Sequence, residues 1–245
     1  MTRARRHSRL TAILLTTIAL GARLSAQAPL ESPIAHAPAS ERPAIGAALA
    51  DSLQLLVVEH GVRIVLQAKT RNELDGPFWS DYRRSVRMPR TWEDGDNWLV
   101  NYVGHPVHGA AAGFVFESHD PVSRRPQFGL DGAYWATRWR PLAWSAAYSV
   151  QFEVGPLSEA SVGNVGLHPN TIGWVDYVVT PVGGMGIAIA EDALDRYLIE
   201  WFEGHVRNAT ARAVVRMLFN PSRSMANVSM NHLPWYRGSR PVRGR

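Results

Sequence analysis

The sequence predicts an all-α protein, a compact bundle of about five helices preceded by a cleavable signal peptide and with some helices able to embed in a membrane. Three observations carry this expectation. Apolar residues recur at helical spacing, and no segment alternates with the period of two that a half-buried strand needs. Long weakly charged segments are separated by proline- and glycine-containing breaks. The chain of 245 residues is 46% hydrophobic and 19% charged, which suits a globular or mildly membranous protein and excludes a disordered one.

The N-terminus reads as an export signal over residues 1–28. Arg3, Arg5, Arg6 and Arg9 form a basic region, Leu10 to Ala22 an apolar one too short to cross a bilayer, and Ala26-Gln27-Ala28 an A-x-A cleavage site. An uncleaved amphipathic anchor is the alternative. These residues account for much of the basicity. Without Arg3, Arg5, Arg6, Arg9 and Arg23, the 26 lysines and arginines drop to parity with the 21 acids. Four more bases, Arg237, Arg240, Arg243 and Arg245, sit at the C-terminus, so the pI near 10.0 marks no basic patch on the body of the protein. That excludes a nucleic-acid partner. With no cysteine, there are no disulfides, thiol nucleophiles or cysteine metal sites.

Residues 29–47, punctuated by Pro29, Pro33, Pro38 and Pro43, read as a linker, followed by a helical domain over 48–219 and an aromatic-basic tail over 220–245. Ala48 to Lys69 forms a first apolar helix, its β-branched second half also compatible with a strand. Residues 70–96 mix charge, aromatics and turns, and read as irregular or interfacial. Three weakly charged segments come next: Asn97–Phe116, Pro141–Asn164 and Ile172–Ala190. The last runs on into an amphipathic helix. Leu194, Tyr197, Leu198, Trp201 and Phe202 supply its apolar face, with Glu191 and Asp192 expected on a solvated one. Asn208 is placed to cap a further helix ending at Phe219, before Pro221.

The candidate chemistry lies in the uncharged segments. Asn97–Phe116 contains no formal charge, yet Gly104-His105-Pro106-Val107-His108-Gly109 sits within it. His105 and His108 share a helix face if Pro106 opens that turn. From Pro141 to Ala190 the charged residues are Glu153, Glu159 and Asp176, all acids. Acids in a dry core or in lipid must pair, be protonated or line a wet cavity, and the histidines are the nearest complement. Thr180 lies four residues after Asp176, ahead of Pro181-Val182-Gly183-Gly184, where glycines allow a second backbone to approach. His105, His108, Glu153, Glu159, Asp176 and Thr180 are therefore the candidate catalytic residues. The plainer alternatives are hydrogen-bonded packing histidines, a Glu159 in the first turn of a helix begun by Pro156, and an Asp176 at a helix start. No zincin, di-iron, nucleophile-elbow, Walker or dinucleotide motif is present. No cofactor is indicated.

These residues also carry a resemblance. Asn101-Tyr102-Val103-Gly104-His105-Pro106-Val107-His108-Gly109 with Asp176-Tyr177-Val178-Val179-Thr180-Pro181-Val182-Gly183-Gly184 resembles an uncharacterised bacterial envelope family that pairs N-Y-x-x-H-P-x-x-G and D-x-x-x-T-P-x-x-G helices. Glu153 and Glu159 match the acids between those motifs, and the likeness covers roughly residues 95–195. A looser likeness links the order of motifs to VanZ-like membrane proteins, with Thr180-Pro181 departing from the Asn common there. The resemblance implies a helical domain of the cell envelope and no established activity.

Three functions follow as expectations. The first is an exported, periplasmic or envelope protein with a structural or binding role, its partner a membrane lipid or envelope component. The second is a hydrolase or transferase acting on a lipid or lipid-linked substrate through the His/carboxylate residues. The third is a metal-binding protein using His105, His108 and one carboxylate.

Overall fold

From His105 onward, the uncharged run of the sequence becomes the central helix of the fold. The computed structural model describes residues 42–66, 91–124, 126–161 and 173–242, with Trp79, Tyr82, Arg83 and Val86. The signal segment 1–28, most of the linker, the Asp75-Gly76-Pro77 turn, and residues 162–172 at the end of the second weakly charged segment lie outside the described residues. Within residues 40–245, which cluster as one unit, the helices are α1 (Ile45–Leu66), α2 (His105–His119), α3 (Gly132–Val154), α4 (Val175–Leu194), α5 (Glu200–His205), α6 (Ala209–Phe219) and α7 (Pro221–Ser229). There is no strand among the described residues, only an isolated bridge between Thr91 and Gly173. The protein is all-α.

A wide π-helical turn, Val100–Gly104, leads into α2, and Pro106 occupies the first turn, where its missing N–H costs nothing. From His105 to Glu117 every residue of α2 except Val107 is buried. α1, α3, α4 and α7 pack around it. Protein encloses the run from His105 to Phe116, whereas Trp98, Leu99 and Val103 at its start are exposed. Glu117, which ends the run, is itself buried and accepts a hydrogen bond from Arg138 at 2.7 Å.

α4 is the most extensive neighbour of α2. Their crossing is a backbone contact. A Cβ added to Gly109 would collide with the Thr180 carbonyl oxygen, and one added to Gly184 would lie 2.7 Å from the Ala110 nitrogen. The glycines of the Pro181-Val182-Gly183-Gly184 cluster thus admit a second backbone, as their sequence predicts. Small residues on facing helices bring two backbones within direct van der Waals contact.

The ends of the elements follow local chemistry. Asp131 Oδ1 caps α3 by accepting from the Tyr134 N–H at 3.0 Å. Asn208 caps α6 as expected, accepting from the Ala211 N–H at 2.8 Å. Other expectations need correcting. α1 begins at Ile45, inside the segment read as linker. Glu159 does not open a helix after Pro156; it sits in a turn, its N–H donating to the Phe152 carbonyl at 2.8 Å. Glu191 and Asp192 are not solvated. The Glu191 carboxylate accepts the Ser222 and Arg223 N–H groups at 2.8 and 3.1 Å, capping α7, and Asp192 accepts from Arg223 at 2.5 Å.

The amphipathic stretch beyond α4 departs in part from the expected faces: Ile199 is buried, and Leu194, Leu198 and Phe202 are half-buried. Tyr197 and Trp201 face outward, while Asp195 and Glu203 point inward to Arg240 and Arg216. Arg216 is fully buried and also donates to the Trp235 and Arg240 carbonyls at 2.8 and 2.7 Å. The segment read as a tail is therefore folded onto the body: α7 places Ala226 in the core, and Arg240 pairs with Glu203 at 3.0 Å.

Gly109→Ala is expected to destabilise the protein by at least ~2 kcal/mol, because the rigid Thr180 backbone cannot yield to the new methyl group. Gly46→Ala, which meets nothing within 4 Å, should be neutral or stabilising by up to ~1 kcal/mol. Urea unfolding of both variants checks the pair.

Candidate functional site

The α2–α4 crossing fixes where the polar residues meet. His105 opens α2, Glu153 lies in the last turn of α3, and Asp176 lies in the first turn of α4. One donor atom from each falls within 4.8 Å of the other two. His105 Nε2 is 3.4 Å from Asp176 Oδ1. All three side chains are buried, at 5%, 6% and 2% exposure respectively.

A fourth group arrives from a loop. The Trp174 and Val175 N–H groups donate to the Thr91 and Trp92 carbonyls, both at 3.0 Å, and lay residues 91–96 along the start of α4. Gly95 has φ of 88°, in the left-handed region, which lets the Asp96 N–H turn back onto Asp94 Oδ1 at 3.0 Å. Asn101 Nδ2 donates to the same oxygen at 2.8 Å. The Asp94 and Asp176 carboxyls lie close enough to act on each other's protonation, favouring an ionised Asp94 beside a protonated Asp176. Ser149 Oγ, one turn before Glu153, donates to the Asp176 carbonyl at 2.9 Å and ties α3 to α4.

The remaining candidates surround this centre. His108 stands with its ring 6.2 Å from that of His105 and nearly parallel to it, so the two do share a helix face. It serves a different partner. Its Nε2 is 3.0 Å from Glu59 Oε2 on α1, off the line of a hydrogen bond, and Tyr148 donates to that same oxygen at 2.8 Å. Phe152 separates the two groups, with the His108 ring edge-on at 4.3 Å and the His60 ring stacked at 4.8 Å. Glu159 is drawn to Arg63 of α1, which also lies 3.9 Å from Asp96. Thr180 stays at the helix crossing, its backbone against Gly109.

Burial dominates the electrostatics. It raises the Asp176 carboxyl to about 10, with Glu153 and Asp94 adding repulsion, and it raises Glu153 to about 8 against the pull of Arg63. It lowers His105 to about 3, helped by repulsion from His108 and Arg63. Asp94 moves the other way, below its ordinary range, because Asp176 and the hydrogen bonds from Asp96 and Asn101 outweigh its burial. At neutral pH the ion-free centre therefore holds a neutral imidazole, protonated acids at positions 153 and 176, and an ionised Asp94. Neighbouring groups pushed to opposite protonation states are what acid–base chemistry uses, and carboxylates beside an imidazole are also metal donors.

Comparison with known proteins returns no matching family model, no matching curated protein and no matching solved structure. The centre is therefore read from its geometry.

Four contributors escaped the sequence. Asp94 was hidden in a turn, and Asn101 is visible only as the first residue of the N-Y-x-x-H-P motif. Glu59 and Arg63 were the one available signal: an acid and a base four apart in an otherwise apolar helix, a spacing that puts both on one face.

These shifts give a definite pH dependence. Glu153 and Asp176 keep their protons in the folded state through about 8 and about 10, whereas the unfolded chain releases them in the ordinary carboxylate range. Stability from these acids is thus present at low pH and lost as pH rises toward those values. His105 acts oppositely between about 3 and 6.5, where the unfolded chain binds the extra proton. Above that window the acids act alone. The urea midpoint of the metal-free protein should fall between about pH 7 and pH 9, and Glu153→Gln should flatten the slope.

Proposed function

We propose that this chain is a membrane-apposed helical protein of the cell envelope with a binding role, its outer apolar face meeting lipid and its polar groups gathered inside. The polarity of α1 carries this reading. Ile45, Leu49, Leu53, Val57, Val58, Val62 and Val65 are exposed, Leu49 to 56%, while Asp51, Glu59 and Arg63 turn inward to partners on other elements. No residue of α1 with a charged side chain is exposed. Ile45–Val65 is long and apolar enough to cross a membrane by length and composition. α1 also buries Ala48, Leu55 and Leu56, so it is apolar on both its inner and outer faces, and an outer face with no exposed charge suits lipid better than water.

The exposed aromatic residues agree. Trp98, Trp139, Tyr197 and Trp201 all face outward, the residue types that favour the headgroup level of a bilayer. An apolar groove of about 460 Å³ between α1 and α3, lined by Leu49, Leu53, Leu56, Trp144, Tyr148 and Leu157 among others, adds surface of the same character. The resemblance of the His105 and Asp176 segments to an envelope family, and the export signal read over residues 1–28, support the location.

Vesicle flotation tests the reading. The chain lacking residues 1–28 should float with phosphatidylethanolamine/phosphatidylglycerol vesicles, and a Leu53→Asp, Val57→Asp variant should lose this while keeping its helical content. Recovery of the wild-type chain in the soluble periplasmic fraction, with no flotation, would end the proposal.

The convergence of His105, Glu153 and Asp176 favours a second reading, a hydrolase or transferase acting on a lipid or lipid-linked envelope substrate. A buried acid–imidazole cluster is costly to fold, and chemistry is one reason to keep it. His105→Ala and Asp176→Asn should then abolish the cellular phenotype at unchanged protein level. An intact phenotype in both variants removes the catalytic reading.

A further inference from the structure

We propose that His105, Glu153 and Asp176 form a binding site for one divalent transition-metal ion, Zn²⁺ being the favoured occupant, with Asp94 and Asn101 as the supporting shell. The inference goes beyond the membrane reading and does not depend on it.

The donor set comes from three helices held by the rigid α2–α4 crossing, one imidazole nitrogen and two carboxylates. Such a mixed set suits Zn²⁺ and Mn²⁺, and the absence of sulfur disfavours softer ions. Donors around a four-coordinate zinc stand ~3.3 Å apart. The donor atoms here lie within 4.8 Å of one another, so each has to draw in by roughly 1 Å to hold an ion.

A second observation points to a ligand. Asp176 Oδ1 is buried, faces His105 Nε2 at 3.4 Å, and makes no hydrogen bond. A buried carboxylate oxygen left without a donor costs on the order of 1–3 kcal/mol or more; a cation at this point removes that cost. The surrounding groups match what metal sites use to orient their ligands. Asp94 lies beside Asp176, and Asp94 is in turn fixed by Asn101 and the Asp96 N–H. His108 lies outside the group of donors that come within 4.8 Å of one another, and its Nε2 faces Glu59 at 3.0 Å instead. Arg63 pairs with Glu159 and Asp96, and its charge also acts on Glu153 and Asp176, so a bound ion would share these acids with it.

The alternative occupant is a proton, carried by Asp176 beside an ionised Asp94 in a metal-free centre. The experiment separates the two. The chain lacking residues 1–28 is purified, stripped with a chelator and titrated with Zn²⁺ by calorimetry, and the bound ion is counted by elemental analysis. One ion per chain is expected. Asp176→Asn and His105→Gln, each checked for native helical content, should bind at least ~10-fold more weakly. His119→Gln removes the more exposed His119–Asp51 pair and should leave binding unchanged. For variants that fail to fold, X-ray absorption of the zinc-loaded wild type decides, with one imidazole and otherwise oxygen donors expected. Less than half an ion bound at saturating Zn²⁺ and Mn²⁺, full affinity in a folded Asp176→Asn variant, or two or more imidazoles on the ion would each overturn the proposal.

Discussion

Contact between the backbones of α2 and α4 sets the rest of this structure. Where Gly109 meets Thr180 and Gly184 meets Ala110, no side chain separates the helices. Two helices held this close can tilt little relative to each other, because any rotation drives main-chain atoms together. His105 is one turn before Gly109 on α2, and Asp176 one turn before Thr180 on α4. The 3.4 Å between their side chains is therefore a consequence of the glycine contact. α3 joins the arrangement through Ser149, whose hydroxyl bonds the Asp176 carbonyl and so places Glu153, one turn on, beside it.

Around this frame the distribution of polarity is inverted at several points. α1 buries Ser52 and His60 beside Leu55 and Leu56 and turns Glu59 and Arg63 inward, while Leu49, Leu53 and four valines stay exposed. Beyond α4, Asp195 and Glu203 face Arg240 and Arg216, while Tyr197 and Trp201 face out. A second buried charged network, of Glu117, Arg138, Asp192 and Arg223, closes the other end of α2. Removing one member of such a network leaves an uncompensated charge and typically costs ~3–5 kcal/mol. This network is balanced: two acids meet two guanidinium groups. The His105 centre is richer in acids: Asp94, Glu153 and Asp176 crowd an imidazole that burial keeps neutral, with the Arg63 guanidinium acting on them from α1.

Much of the centre was legible in the chain because its parts are local signals. His105 and His108 in an uncharged run, and the acids Glu153 and Asp176 in segments without bases, are anomalies in composition that need no geometry to notice. Pro106 at a helix start and the glycines near position 183 also carry their meaning in the sequence. Partnership was not legible. The sequence offers both histidines equally to the acids, and only the placement of Glu59 on α1 draws His108 away from His105's partners. Asp94 in its turn looked like any loop acid, and its role depends on a backbone pairing between residues 91 and 174 that spans a long stretch of chain.

By itself, the sequence determined that this protein is all-α, where several helices start and stop, and which residues are chemically out of place. Periodicity, caps and charge gaps are properties of neighbours along the chain, so they survive without a fold. The tertiary structure decided which face of each helix is inside. The hydrophobic pattern predicts apolar faces inward, and α1 and the stretch after α4 do bury Leu55, Leu56 and Ile199, but ion pairs with distant residues draw charges in beside them and leave other apolar residues outside. It likewise decided that the uncharged run from His105 onward is a core helix enclosed by four others, and that Arg240 in the basic C-terminal region, with Arg216 of α6, is structural. Each of these rests on contacts between residues far apart in the chain, which a one-dimensional pattern does not encode.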